Sequence, residues 1–231
     1  MRFLSTAAAW IYPPTCVLCG APGDDGLDLC AGCRGDLPMI GACCPRCALP
    51  LPAPAAGPCG ACQRHPPPFA VCRAAFRYED PLPALIGGLK FRDRFNLIRL
   101  LATLLAETLA GLDDPRPDAL VPVPLHPRRL RERGYNQSLE LARVIGRRLD
   151  LPVDARCCNR VRATPPQAAL DQKSRRRNIR GAFAAGGDLG GRHVAVIDDV
   201  VTTGSTVGEL ARTLRRAGCR RVDVWTLART P

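Results

Sequence analysis

Lysine is almost missing from this chain of 231 residues: Lys90 and Lys173 are the only two, so arginine carries nearly all of a net charge of +12. That balance points to anionic partners, and arginine suits two-pronged phosphate contacts. An Arg-, Ala- and Pro-rich composition is equally what a GC-rich genome would produce. Aromatic residues are also scarce, at 5%, which counts against an extended platform for stacking single-stranded bases. Tyr135 and Phe69 are the candidates for such stacking, and both would serve equally well as packing residues. No stretch is long enough to span a membrane. Met1 to Tyr12 has a short apolar core that runs straight into Pro13-Pro14. A short docking helix is therefore expected there rather than a secretory leader, and a cytoplasmic location follows.

Cysteine, by contrast, is plentiful, and most of it lies early. Residues 1–72 are rich in Cys, Pro and Gly and hold four Cys-x-x-Cys pairs: Cys16/Cys19, Cys30/Cys33, Cys44/Cys47 and Cys59/Cys62. Similar short stretches separate consecutive pairs, so the region reads as a duplicated unit. Two such pairs can grip one tetrahedral ion from opposite sides, and four thiolates want Zn²⁺. Two structural zinc sites are expected, one from the first two pairs and one from the last two, although spacing also allows a crossed arrangement. A disulfide framework is the rival, and the lack of a leader disfavours it. Cys43 and Cys72 stand outside the pairs. Cys157, Cys158 and Cys219 have no ligand spacing and are expected to be buried as small apolar residues.

From residue 73 to 231 the pattern changes to alternating helices and strands. Leu82, Leu85, Ile86 and Leu89 recur at helical spacing, as do Leu97, Leu100, Leu101 and Leu104 before Gly111, a suitable helix end. Ala119–Val123 reads as a buried strand that Pro122 and Pro124 must cut short or place at an edge. A helix with Leu139, Ala142, Ile145 and Leu149 follows, and Val222–Leu227 gives a late strand. The alternation predicts an α/β domain with a mostly parallel sheet, preceded by the Cys-rich module.

Within that domain, Val194-Ala-Val-Ile-Asp-Asp-Val-Val-Thr-Thr-Gly-Ser-Thr206 is the most informative run. An apolar strand delivers Asp198 and Asp199 to the ligand end of a sheet. Thr202, Thr203, Gly204, Ser205 and Thr206 then offer hydroxyls and a pliable backbone ahead of a helix N-terminus, a setting suited to phosphate. Thr206 with Glu209 would form a capping box, so helix initiation accounts for part of the pattern. The run resembles the phosphoribosyl diphosphate (PRPP) motif of type I phosphoribosyltransferases. The resemblance implies that the acid pair binds the ribose 2- and 3-hydroxyls and that the loop holds the 5-phosphate.

Three further segments fit the same site. Val121 to Arg129 opens into a basic loop with His126, Arg128 and Arg129, which is either a diphosphate contact or a solvated loop. Arg131 to Gln137 places Gly134, Asn136 and Gln137 at a helix start, for ligand contact or capping. Arg160 through Gln167 and Leu170 to Arg175 and Asn178 is a long polar connection, either a hood over the site or an unstructured basic stretch. Together with Leu89-Lys-Phe91, Val121-Pro-Val-Pro124 and Arg133-Gly-Tyr-Asn-Gln137, these segments make the chain similar to the ComF family over almost its whole length.

That resemblance implies a zinc-ribbon module joined to a phosphoribosyltransferase-like domain, with a role in competence or DNA uptake. It also implies single-stranded DNA and a competence helicase as partners. Transfer of the phosphoribosyl group would use Asp198 and Asp199 at the ribose. Mg²⁺ with Arg128 or Arg175 would act at the departing diphosphate. The acid-pair run looks most like that of the amidophosphoribosyltransferases. Amidotransferase activity is nevertheless not expected, since Met1-Arg2 begins the chain and Cys16 is better used by zinc. A non-catalytic nucleic-acid or helicase-docking module is the second expectation.

Overall fold

Among the residues that the computed structural model describes (13–90, 94–163, 178–187 and 189–231), the strands are β1 (Cys72–Arg77), β2 (Ala119–Pro122), β3 (Cys158–Arg160), β4 (Phe183–Ala185), β5 (His193–Val201) and β6 (Arg221–Arg229). Four of them form one parallel sheet in the order β1-β6-β5-β2. The helices are α1 (Ala31–Gly35), α2 (Gly60–Arg64), α3 (Leu82–Gly88), α4 (Phe95–Ala110), α5 (Pro127–Arg133), α6 (Gln137–Leu149) and α7 (Ser205–Arg216).

The sheet is apolar on both faces because helices cover both. On β5, Ala195 and Ile197 pack with α4 and α6, while Val194 and Val196 pack with α7. Leu97, Leu100, Leu101 and Leu105 of α4 are almost wholly buried, each stabilising the fold by about 1.5–3 kcal/mol relative to exposure. From β2 the chain passes through α6 to Val153, which pairs parallel with Leu120 on the outer side of β2. It then returns by β3 and β4 to β5, and α7 leads on to β6 across the other face. The crevice where the winding reverses lies beyond the carboxyl ends of β2 and β5.

β2 ends at Pro122, which has no N–H to give, although the Val123 N–H still donates to the Ile197 carbonyl at 3.0 Å. β1 was not legible. Its Cys-Arg-Ala-Ala-Phe-Arg contains no β-branched residue, and pairing with β6 is what makes it a strand. The helix α5 also replaces the loop expected at Arg128 and Arg129. Pro127 begins it, His126 Nδ1 accepts the Arg128 N–H at 3.3 Å, and Glu132 pairs with both arginines. One apolar residue in seven gave no periodic signal. In α6 the buried stripe runs through Ser138, Leu141, Ala142 and Ile145 rather than Leu139.

The Cys-rich segment straddles the β1 edge. Cys16, Leu27, Leu29 and Leu37 join the core on the α4 face, whereas Ala48 and Phe69 join the core on the α7 face. Between them, Ile40 N–H donates to the Ala75 carbonyl at 3.0 Å and Arg77 N–H to the Pro38 carbonyl at 2.8 Å. The edge strand is therefore covered rather than left open for pairing with another chain. Residues 1–12, where a docking helix was expected, lie outside the described residues.

At the amino end of the sheet a charged network is buried. His193 Nε2 lies 2.8 Å from Asp223 Oδ2, Arg221 Nε donates to Asp223 Oδ1 at 2.9 Å, and the His193 N–H donates to Asp118 Oδ2 at 2.7 Å. His193 Nδ1 sits 3.2 Å from the Arg116 carbonyl.

Candidate ligand cleft and metal sites

The eight paired cysteines come together as two groups, Cys16, Cys19, Cys30 and Cys33, then Cys44, Cys47, Cys59 and Cys62, with the sulfurs of each group within 4.8 Å of one another. The uncrossed pairing is therefore the one formed, and Cys43 takes no part. Each knuckle repeats the same backbone bonds. Cys16 N–H donates to the Ala21 carbonyl and Gly20 N–H to Cys16, just as Cys44 N–H donates to Leu49 and Ala48 N–H to Cys44. Gly20 and Ala48 hold the matching left-handed position, at φ +77° and +55°.

The geometry fits zinc. Cys19 and Cys30 sulfurs stand 3.7 Å apart and Cys47 and Cys59 sulfurs 3.8 Å apart. An ion with Zn–S bonds of about 2.3 Å has tetrahedral edges of about 3.8 Å. Burial pushes the Cys16 thiol up, but the N–H groups of Cys30, Cys19 and Leu18 outweigh it and bring it down to about 6. For Cys44, burial is likewise outweighed by the N–H groups of Cys59, Cys47 and Arg46, giving about 7. Each group thus holds one thiol readily deprotonated for a metal. Four protein ligands leave no coordination position open, so both sites are structural. Cys72, Cys157, Cys158 and Cys219 are buried. Burial raises all four, Cys72 and Cys157 to about 12 and Cys158 to about 11.

Asp198 and Asp199 stand at the carboxyl end of β5, in a cleft of about 850 Å³. Asp198 is buried, and both its burial and the neighbouring Asp199 charge push its carboxyl well above the usual range. Among the described residues it accepts from the Asp199 N–H at 3.0 Å and the Ser138 hydroxyl at 3.4 Å, and the Arg160 charge acts on it from the cleft wall. Asp199 accepts from the Val200 N–H at 2.8 Å and from Gln137 Nε2 at 3.5 Å, and Gln137 is itself held by Arg133. Asn136 caps α6 by accepting the Ser138 N–H and anchors to the Val123 carbonyl. Of the two amides, then, Asn136 is a cap and Gln137 faces the acids.

Lys90, Arg128, Arg129, Arg133 and Arg160 line the same cleft. Lys90 and Ser138 had no role assigned from sequence. Ser138 falls on the otherwise apolar face of α6, so its pattern is that of a core position. Arg175 and Gln167 lie outside the described residues, as does most of the connection read as a hood; β3 and β4 pair antiparallel on either side of it.

The loop after β5 is divided. Thr202 and Thr206 line the acid-pair cleft, whereas Thr203, Gly204 and Ser205 line a second groove behind the loop, which Thr202 also borders. Gly204, at φ +71°, is the N-cap of α7, a backbone turn that favours glycine. The expected capping box is not formed. Thr206 is already inside the helix, and Glu209 instead accepts from the Gly181 N–H at 2.8 Å and from Arg212 at 2.5 Å. Tyr135 and Phe69, the stacking candidates, are buried at 9% and 4% exposure and serve as packing residues.

Residues 7–63 match the model of a double zinc ribbon domain. The DNA utilization protein YhgH of Escherichia coli (strain K12) is 39% identical over 225 residues, which cover 94% of this chain and 98% of that protein. Competence protein F of Haemophilus influenzae is 37% identical over 210 residues, 87% of this chain and 90% of that protein. Among solved structures, the glutamine phosphoribosylpyrophosphate amidotransferase from B. subtilis overlaps 58% of this chain and 27% of its own, at 21% identity and a TM-score of 0.40.

Proposed function

The chain belongs to the ComF family of competence and DNA utilization proteins, and from that premise we propose that it binds PRPP, or a related phosphorylated ribose, in the acid-pair cleft. One observation carries the reading. Two adjacent carboxylates, one of them buried against its own charge, share a cleft with Thr202, Thr206 and a ring of basic side chains. Asp198 and Asp199 would accept hydrogen bonds from the ribose 2- and 3-hydroxyls. The loop from Thr202 to Thr206 would take the 5-phosphate, and Arg128, on the rim, would face the diphosphate. On this reading residues 1–72 are the zinc-ribbon module and 73–231 the phosphoribosyltransferase-like domain.

In a transfer reaction the bond between ribose C1 and the diphosphate oxygen breaks, and its electron pair leaves with the diphosphate. A nucleophilic acceptor takes C1 and gives up its proton. Charge on the leaving group must be met by fixed cations, a task for Arg128, Arg129 and Lys90. The oxygen-only donors of the acid pair fit Mg²⁺, with Asp199 the more accessible of the two. Mg²⁺ would supply further neutralisation of the diphosphate.

Calorimetry of PRPP binding with and without Mg²⁺, on zinc-replete protein, tests the proposal. Saturable binding that is lost in Asp198→Asn/Asp199→Asn is the expected result, and no binding by folded wild-type protein rejects it. The second reading, a nucleic-acid-binding module, is favoured by the groove behind the loop and the cleft adjoining it. Arg46, Arg180, Arg212, Arg215, Arg216 and Arg220 line these two clefts. Under that reading, oligonucleotide affinity falls steeply with added salt.

A further inference from the structure

Arg229, near the end of β6, is buried at 8% exposure, yet its guanidinium spans two parts of the molecule that are far apart in sequence. Its Nε donates to the Cys47 carbonyl at 3.1 Å, and Cys47 belongs to the second cysteine group. Its Nη1 donates to the Val201 carbonyl at 3.2 Å, to the Thr202 carbonyl and to the Thr230 carbonyl at 2.6 Å. A peptide unit is planar and trans, so fixing a carbonyl fixes the next N–H to point the opposite way. Holding the Thr202 carbonyl therefore aims the Thr203 N–H to the side of the loop away from Arg229, and the Val201 carbonyl, which also accepts the Thr230 N–H at 3.2 Å, aims the Thr202 N–H the same way. Arg229 lines the groove behind the loop, whereas the Thr202 and Thr206 side chains line the acid-pair cleft in front.

We propose that Arg229 is a positioning residue for the loop from Thr202 to Thr206, and that the second zinc site acts on this loop through it. The first site has no counterpart to this bridge among the described residues: its links to the domain are the Arg34–Glu107 pair, an Arg99 bond to the Gly26 carbonyl and apolar packing against α4. The knuckle that carries Cys47 is held by Zn²⁺. Its carbonyl then holds Nε, which fixes the guanidinium plane and leaves Nη1 placed to hold the loop. Five donors in a rigid fork make arginine able to do this where lysine cannot.

The inference rests on the proposed phosphate role of the loop only for its functional outcome, and the test separates the two. Amide hydrogen exchange would be followed across residues 200–208 of the full-length, zinc-replete protein, alongside zinc content and PRPP affinity. Arg229→Gln should keep both zinc ions, speed exchange at Thr202 and Thr203 at least about tenfold, and weaken PRPP by a similar factor. Arg229→Lys should fall between the two. Cys62→Ser should lose one zinc and loosen the same amides, while Cys33→Ser should lose one zinc and leave them unchanged. Unaltered exchange in folded Arg229→Gln, or equal loosening in both cysteine variants, overturns the proposal. If the wild type does not bind PRPP, the proposed function fails, and the exchange measurements still decide the role of Arg229.

Discussion

The two ends of the central strands treat buried charge in opposite ways. At the amino end, Asp223 is enclosed with a histidine at 2.8 Å and an arginine at 2.9 Å. At the carboxyl end, Asp198 is enclosed beside another carboxylate, with one hydroxyl at 3.4 Å and one backbone N–H. Both are on neighbouring strands of one sheet, so depth does not distinguish them; partners do. A buried charge with complete partners holds a structure together, and breaking it is costly. A buried acid beside a like charge is an arrangement kept against stability, and such arrangements concentrate where ligands bind.

The largest test of that contrast is Asp223→Ala. Removing the carboxylate leaves the His193 ring and the Arg221 guanidinium without their shared partner, and urea unfolding should show a loss of about 3–5 kcal/mol. A loss below about 1 kcal/mol would erase the distinction. Asp198→Asn should do the reverse. Because the native Asp198 carboxyl is raised, the folded chain holds a proton there that the unfolded chain releases above about pH 3.9. Wild-type stability from this group is therefore complete below that pH and is lost as pH rises toward the native value. The variant should melt above the wild type at pH 7, with the gap closing as pH falls to about 4, while PRPP binding is lost. A lower melting temperature at pH 7 would mean that Asp198 is a stabilising partner like Asp223. The smallest effect sets the baseline. Arg34 and Glu107 pair at 2.8 Å with both side chains about 40% exposed, so Arg34→Ala should cost no more than about 1 kcal/mol. That cost should shrink in salt.

The same contrast explains what could be read in advance. Asp198, Asp199 and the hydroxyl loop are contiguous, and so are the Cys-x-x-Cys pairs; chemistry packed into a short run announces itself. The uncrossed cysteine grouping follows the chain order for the same reason. His193 and Asp223 meet only because β5 and β6 pair in one register, His193 opposite Arg221. Nothing within ten residues of either indicates the other. Arg229 is similar: it reads as one arginine among many until the knuckle at Cys47 and the loop at Thr202 are brought to it. The strand β1 escaped detection because its partner, not its own composition, makes it a strand. The helix α5 escaped because its start is fixed by Pro127 and His126 rather than by an apolar stripe.

The pairing of β1 with β6 also orders the making of the molecule. Cys72 lies opposite Val224, so the strand that follows the ribbons has no sheet partner until residues 221–229 have been made. The zinc knuckles are local and can close as soon as they are synthesised. The sheet cannot close until β6 enters between two strands already made, and contacts so distant in sequence form slowly. During that interval the ribbons would be folded and metal-loaded while the edge they are to cover does not yet exist. Nascent chains halted before β6 should therefore carry zinc yet expose Leu27, Leu29 and Leu37, which are core residues in the finished fold.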